Sequence, residues 1–142
     1  MKLASVHSAL RQHLTDWPDK PNQIVWQGLR MERPTDSPIE RWVREAFKPS
    51  LSSPESIGPT PLIRTEGVYL LEVFGPALDG QGPVQEWADS LQAHFCPRTE
   101  IRYGGIQVTL LNASQTGGPG GETSWIRISL SINWRSDVPN PK

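Results

Sequence analysis

The chain has 142 residues, the size of one domain whose core needs neither disulfides nor metal. Fourteen basic and 15 acidic residues leave a net charge of −1, so no broad positive field is available for tracking nucleic acid or an anionic membrane. No apolar run reaches the roughly 20 residues that span a bilayer, and Cys96, the one cysteine, excludes an intrachain disulfide.

Met1 to Leu14 mixes charges and histidines into an apolar period and lacks a hydrophobic signal core, which reads as a cytosolic start. Leu3, Val6, Leu10, Leu14 and Trp17 recur at steps of three and four, and Pro18 and Pro21 end the pattern. This spacing predicts a helix over about Lys2 to Thr15. Ile24, Val25 and Trp26 form a short extended segment before Gly28.

Residues 37–47, "SPIERWVREAF", admit two readings. Ser37 as N-cap, Pro38 at the first helical position and Glu40 as a capping-box acid favour helix. Alternation of Ile39, Arg41, Val43, Glu45 and Phe47 against Trp42 and Ala46 allows strand. Local rules put helix ahead. Pro49 to Pro61 holds four prolines and four serines, so no regular structure is expected there.

Gly67 to Phe74, "GVYLLEVF", is apolar on both faces apart from Glu72 and predicts a central strand. Next, Val84, Trp87, Ala88, Leu91 and Phe95 line one helical face, opened by Pro83 and closed by Pro97. Ile106, Val108 and Leu110 alternate with polar residues, as do Ile126, Ile128, Leu130, Ile132 and Trp134, giving two strands with one wet face each. Between them "NASQTGGPGGET" reads as a loop, mobile or ordered only on assembly, and Asp137 to Lys142 as a loose tail. The order predicts an α+β fold: a single mixed or antiparallel sheet with two main helices packed on one face. Residues 1–142 are expected to form one domain with flexible loops at about 49–61 and 112–123.

The turn between central strand and second helix is the nearest thing in the chain to a chemical motif. Gly75 and Gly80 have the spacing of a phosphate-binding loop, but Gln81 and Gly82 stand where the lysine and the hydroxyl residue belong. The turn reads mainly as a redirection of the chain, with a bare anion site as the minor alternative. His7 and His13 fall on different helical faces, and His94 with Cys96 makes at most one edge of a metal site. Cys96 itself reads as a half-buried packing thiol. The carboxylate pairs Glu40/Glu45 and Glu86/Asp89 sit among polar neighbours, where nothing would raise a pKa. No catalytic residue, cofactor or metal is therefore expected, and the chain is not expected to be an enzyme.

Six tryptophans are many for this length. Trp87 and Trp134 lie on core stripes, whereas Trp42 and Trp125 share faces with arginines, a combination favoured at protein interfaces. Arg41, Trp42, Arg44, Trp125 and Arg127, with Gln115 and Thr116 from the glycine-rich segment, are the candidate interface residues.

The segments "RWVREAFKP", "EGVYLLEVFGPALDGQGPVQEWADSLQAHF", "GGIQVTLLNASQ" and "SWIRISLSINWRSD" together resemble the tail terminator-like proteins of tailed bacteriophages and prophages. Trp42, Val43 and Arg44 match that family's "W(L/V)R" residues, Gly67 to Phe74 with Pro76, Gly80 and Gly82 its strand and turn, and Phe95 the end of its helix. The resemblance implies a strand over Ile39 to Phe47, against the local helix reading, and it takes precedence because tertiary context outweighs a capping box. It also implies a structural subunit of the virion tail, made in the bacterial host cytoplasm. This subunit would form a ring, expected to be hexameric, that caps the tail tube and helps join it to the head. Expected partners are further copies of the chain, the tail tube protein and a head-completion protein, with no specific nucleic-acid contact and no membrane. A head-completion or connector protein is the alternative phage role, and a small anion-binding domain the alternative outside it.

Overall fold

The computed structural model describes residues 3–19, 24–26, 41–54, 62–76, 80–103, 105–122 and 125–139. The element order is α1 (Leu3–Thr15), β1 (Ile24–Val25), β2 (Trp42–Pro54), β3 (Leu62–Pro76), α2 (Gln81–His94), β4 (Glu100–Tyr103), β5 (Ile106–Glu122) and β6 (Trp125–Pro139). The strands form one sheet in the order β1-β2-β3-β6-β5-β4. All its pairings are antiparallel except that of β1 with Val43 and Arg44 of β2. The fold is α+β.

Both helices pack on one face. The register aligns alternate residues of neighbouring strands, so Val43, Val73 and Ile128 form one row of the core and Leu71 and Leu130 belong to the next. Over them lie Val6, Ala9, Leu10 and Leu14 of α1 and Val84, Trp87, Ala88 and Leu91 of α2, all buried with Phe95 in one cluster. The helical periods and the two alternating strands read from the sequence coincide with this core.

Two glycines make the packing possible. Gly67 lies opposite Trp134, and a Cβ there would meet Trp134 Cζ2 at 2.7 Å, Lys48 O at 2.5 Å and Pro49 Cα at 2.8 Å. A Cβ on Gly75 would stand 2.1 Å from Val84 Cγ2, so this glycine lets α2 close onto the sheet. Gly80, at the start of α2, has φ +79°, a left-handed value that favours glycine.

The first helix is fastened by polar groups as well as by its apolar stripe. Glu45, on the helix-covered face of β2, has no accessible side-chain surface. Its carboxylate accepts from Arg11 Nε at 2.6 Å, from His7 Nε2 at 3.1 Å and from the Tyr69 hydroxyl. Burial alone would raise the Glu45 pKa, but the hydrogen bonds from His7, Tyr69 and Arg11 outweigh it and hold the carboxyl below its ordinary range. Burial, with the Glu45 charge beside it, pushes the Tyr69 phenol well above its ordinary value. At the other end of α1, His13 and His94 stack with centroids 4.1 Å apart. Each Nε2–H donates to the other's backbone carbonyl, at 2.8 and 2.6 Å, so the last turns of the two helices satisfy each other's carbonyl groups.

The structure corrects several sequence expectations. Trp42 onward is strand, not helix, as the family resemblance implied; Ser37, Pro38, Ile39 and Glu40 lie outside the described residues. Pairing with β3 fixes residues 42–54, including Pro49 to Pro54 of the stretch expected to be irregular, while 55–61 are outside the description. Pro49 coincides with a register shift, where a missing N–H is tolerated. The glycine-rich segment continues β5 through Glu122, because β6 pairs with it from Asn112 to Gly118 and again at Glu122. Asp137 to Pro139 of the expected tail belong to β6. Glu45 is buried instead of solvated, and Cys96 is exposed instead of half-buried.

Gly67→Ala should destabilise the chain by about 2 kcal/mol, because two of the three clashing atoms are backbone; urea denaturation measures it, and an unchanged midpoint would refute the contact. The imidazole of His13 is held below its ordinary value of 6.5, chiefly by burial, against its bond to His94 and with the charge of His94 adding to the fall. The folded state therefore binds fewer protons than the unfolded one below that value. The His13 contribution is complete above pH 6.5 and is lost as the pH falls. Denaturation at pH 7.5 and 5.5 should show this loss in the wild type and a smaller one in His13→Gln.

Candidate assembly surface

The face of the sheet opposite the two described helices collects most of the sequence-predicted interface residues. Across the strands, Arg44 pairs with Glu72, Glu72 with Ser129 and Ser129 with Thr116. One step along, Trp42 pairs with Phe74, Phe74 with Arg127 and Arg127 with Gly118. Because side chains alternate along a strand, Trp42, Arg44, Glu72, Phe74, Thr116 and Arg127 project from the same face.

The patch has an aromatic base and a charged top. Trp42 stacks on Phe74 at 4.0 Å with planes 4° apart, and both are buried away from the main core. The Arg44 guanidinium lies 5.3 Å from the Phe74 ring centroid. Glu72 bridges two arginines: one oxygen meets Arg44 Nη2 at 2.7 Å, the other Arg127 Nη1 at 3.3 Å. Arg44 and Arg127 remain 45% and 44% exposed, so the pairs are solvent-screened and keep donors for a partner.

The other candidates are placed elsewhere. Arg41 is exposed at the start of β2, and its guanidinium stands 4.5 Å from the Trp87 ring on the helix side. Gln115 faces α2, where it bonds Gln85, Asp89 and Gln92 at 2.6–2.8 Å. The bonds from Gln115 and then Gln85 hold the exposed Asp89 carboxyl below its ordinary range. Trp125 pairs by backbone with Pro76 and Glu122, and its side chain is outside the description. Trp17, Trp42, Trp87 and Trp134 are buried, so much of the tryptophan surplus serves packing. Glu72 and Phe74 belong to the patch without standing among the sequence candidates; the signal for them is Glu72, the one charge in an apolar strand.

Among the described residues no group of three or more His, Cys, Asp or Glu could hold a metal ion. Depressions of about 420 and 290 Å³ flank the β4–β5 turn and the exposed side of α1, sharing Tyr103. Neither is lined by the glycines whose spacing suggested an anion loop. No described helix is long and apolar enough to cross a membrane.

Comparison with known proteins identifies the class. The family of phage tail terminator proteins matches residues 5–134. No curated protein matches the sequence. Ten solved chains match the fold. One of them is 21% identical, with a TM-score of 0.71, covering 98% of this chain and 97% of its own. That likeness concerns the fold alone.

The two layers of the patch should separate in stability measurements. Trp42→Ala removes a buried stacked ring and should cost about 3 kcal/mol. Arg44→Ala cuts a screened surface pair and should cost less than about 1 kcal/mol. Equal costs in urea denaturation would contradict this division.

Proposed function

The chain belongs to the phage tail terminator protein family, and on that premise we propose that it is a ring-forming subunit that closes the tail tube and presents the surface to which the head is joined. The match over residues 5–134 carries the reading, since it spans both helices and nearly the whole sheet. The role is structural, in the virion tail. We read residues 1–142 as one such domain, hexameric in the ring, meeting the tube protein on one side and a head-completion protein on the other.

The patch opposite the two described helices supports a partner-binding role. Trp42 and Phe74 are already stacked and hold their rings in place, so a partner orders little at the base when it docks. Arg44 and Arg127 supply exposed donors around it. Arginine is enriched at interfaces, and here two stand exposed over an ordered, buried aromatic base.

Negative-stain microscopy of the purified protein, alone and mixed with tail tubes, tests the reading. Rings in solution or at tube ends are expected, and a monomer that ignores tube ends at high concentration would overturn it. Arg44→Glu with Arg127→Glu should leave a folded chain, checked by circular dichroism, that docks at tube ends at least tenfold more weakly.

A further inference from the structure

The longest strand of the sheet has an edge that its neighbour does not cover. β5 runs from Ile106 to Glu122, but β4 pairs only with Ile106 to Thr109. Backbone bonds from Leu110 to Arg98 and Thr99 extend this cover by one residue. From Leu111 onward no described strand lies on the outer side of β5. A single backbone group there has a described side-chain partner, the Ala113 carbonyl, which accepts from Gln92 Nε2 at 2.8 Å and keeps a second lone pair.

Such an edge is a template for another strand, and proteins that stay alone blunt it with charge or proline. Residues 111–118, Leu-Asn-Ala-Ser-Gln-Thr-Gly-Gly, contain neither. The register shift at Leu111 turns a large apolar side chain out to 39% exposure at the head of this stretch.

The sheet's other end has the matching form. Among the described residues β1 pairs only with Val43 and Arg44 of β2, which runs on to Pro54. Between the ends stand four long strands, β2, β3, β6 and β5, all antiparallel to their neighbours. Because four is even, β2 and β5 run in opposite directions. A copy added head to tail about an axis along the strands therefore sets its β2 antiparallel to the first copy's β5, and the alternation continues unbroken. The heights agree too. Asn112, Asn133, Val68 and Lys48 lie in one row, and Thr116, Ser129, Glu72 and Arg44 in another. The open stretch of β5 and the start of β2 thus occupy the same level of the sheet.

We propose that the outer edge of β5, at residues 111–118, receives the β2 edge of a second copy of this chain, so that the sheets of neighbouring subunits join into one antiparallel wall. This repeats one heterologous contact at every subunit, the arrangement that closes a ring. It puts the helices on one side of the wall and the Trp42–Arg44–Arg127 face on the other. It rests on the ring reading above and specifies how the ring is held.

Engineered disulfides test the pairing. In a Cys96→Ser background, Ala46→Cys is combined with Ser114→Cys or with Thr116→Cys. Within one chain, residues 46 and 114 are separated by three strand spacings of about 4.8 Å, beyond the roughly 7 Å that a disulfide spans between Cα atoms. Any disulfide is therefore between copies. Under mild oxidation of assembled protein, at least one pair should give a ladder of covalent multimers on a denaturing gel. Each single-cysteine control stops at a dimer. Rings that form without a ladder from either pair overturn the edge pairing and leave the ring reading standing; failure of the Cys96→Ser parent to assemble, alone or on tube ends, overturns both. As a second readout, Asn112→Lys faces Lys48 of the neighbour and should weaken assembly at least tenfold, whereas Asn112→Asp should preserve it. Equal behaviour of the two variants would reject this register.

Discussion

An unbroken antiparallel ladder joins β3 to β6, from Leu62 opposite Pro139 to Pro76 opposite Trp125, and the other elements take their positions from it. With a side-chain period of two, a slip of one residue would put Tyr69, Leu71 and Val73 on the face opposite Leu130, Ile132 and Trp134, so that one of the two sets would leave the helices. The register is therefore fixed by the apolar set on one face. It is also fixed at one point by shape, because Gly67 is the gap into which Trp134 fits. Phe47 stacks on Trp134 at 5.3 Å and carries the same constraint to β2.

Apolar burial alone would hold α1 loosely in rotation, since a helical stripe tolerates small turns about its axis. The Glu45 cluster removes that freedom by fixing His7 and Arg11 to one carboxylate. A buried carboxylate is weak evidence for net stability, because its desolvation offsets much of its pairing. What it supplies is specificity: with the donors of His7, Arg11 and Tyr69 converging on it, other placements of α1 would strand a buried charge. The His13 and His94 pair does the same for the helix ends through hydrogen bonds to backbone carbonyls.

The sequence was informative wherever a period repeated long enough. Four residues of the second helix, Val84 to Leu91, with Phe95 at its C-cap, and five of the last strand, Ile126 to Trp134, are legible because each element buries a single face. The misreadings have a different origin. Around Ser37 to Phe47 a capping pattern competed with strand alternation, and only the partner strand β3 decides between them. Glycines at 117–121 read as loop because glycine is a poor strand former, yet β6 holds the neighbouring chain in its ladder through Gly118. Glu45 looked solvated because its partners are 34 and 38 residues away. Of the interface candidates, Trp42, Arg44, Thr116 and Arg127 fell on one face; Gln115 did not, because a bulge beside Leu111 shifts the alternation that its neighbours would predict.

The phosphate-loop spacing shows how a motif can arise from packing. Gly75 is needed because Val84 occupies the place of its Cβ, and Gly80 because the chain enters α2 through a positive φ. Two independent steric demands, set by how far the chain travels from strand to helix, put glycines five residues apart. Phosphate binding would add a third demand, a cation to neutralise the ligand, and the turn offers Gln81 and Gly82 in that place. Spacing that follows from backbone geometry alone carries no information about a ligand until the charged side chains are also present. The same reasoning favours an assembly role for β5: among the described residues no strand lies on its outer edge beyond Leu110, and a second copy would supply one.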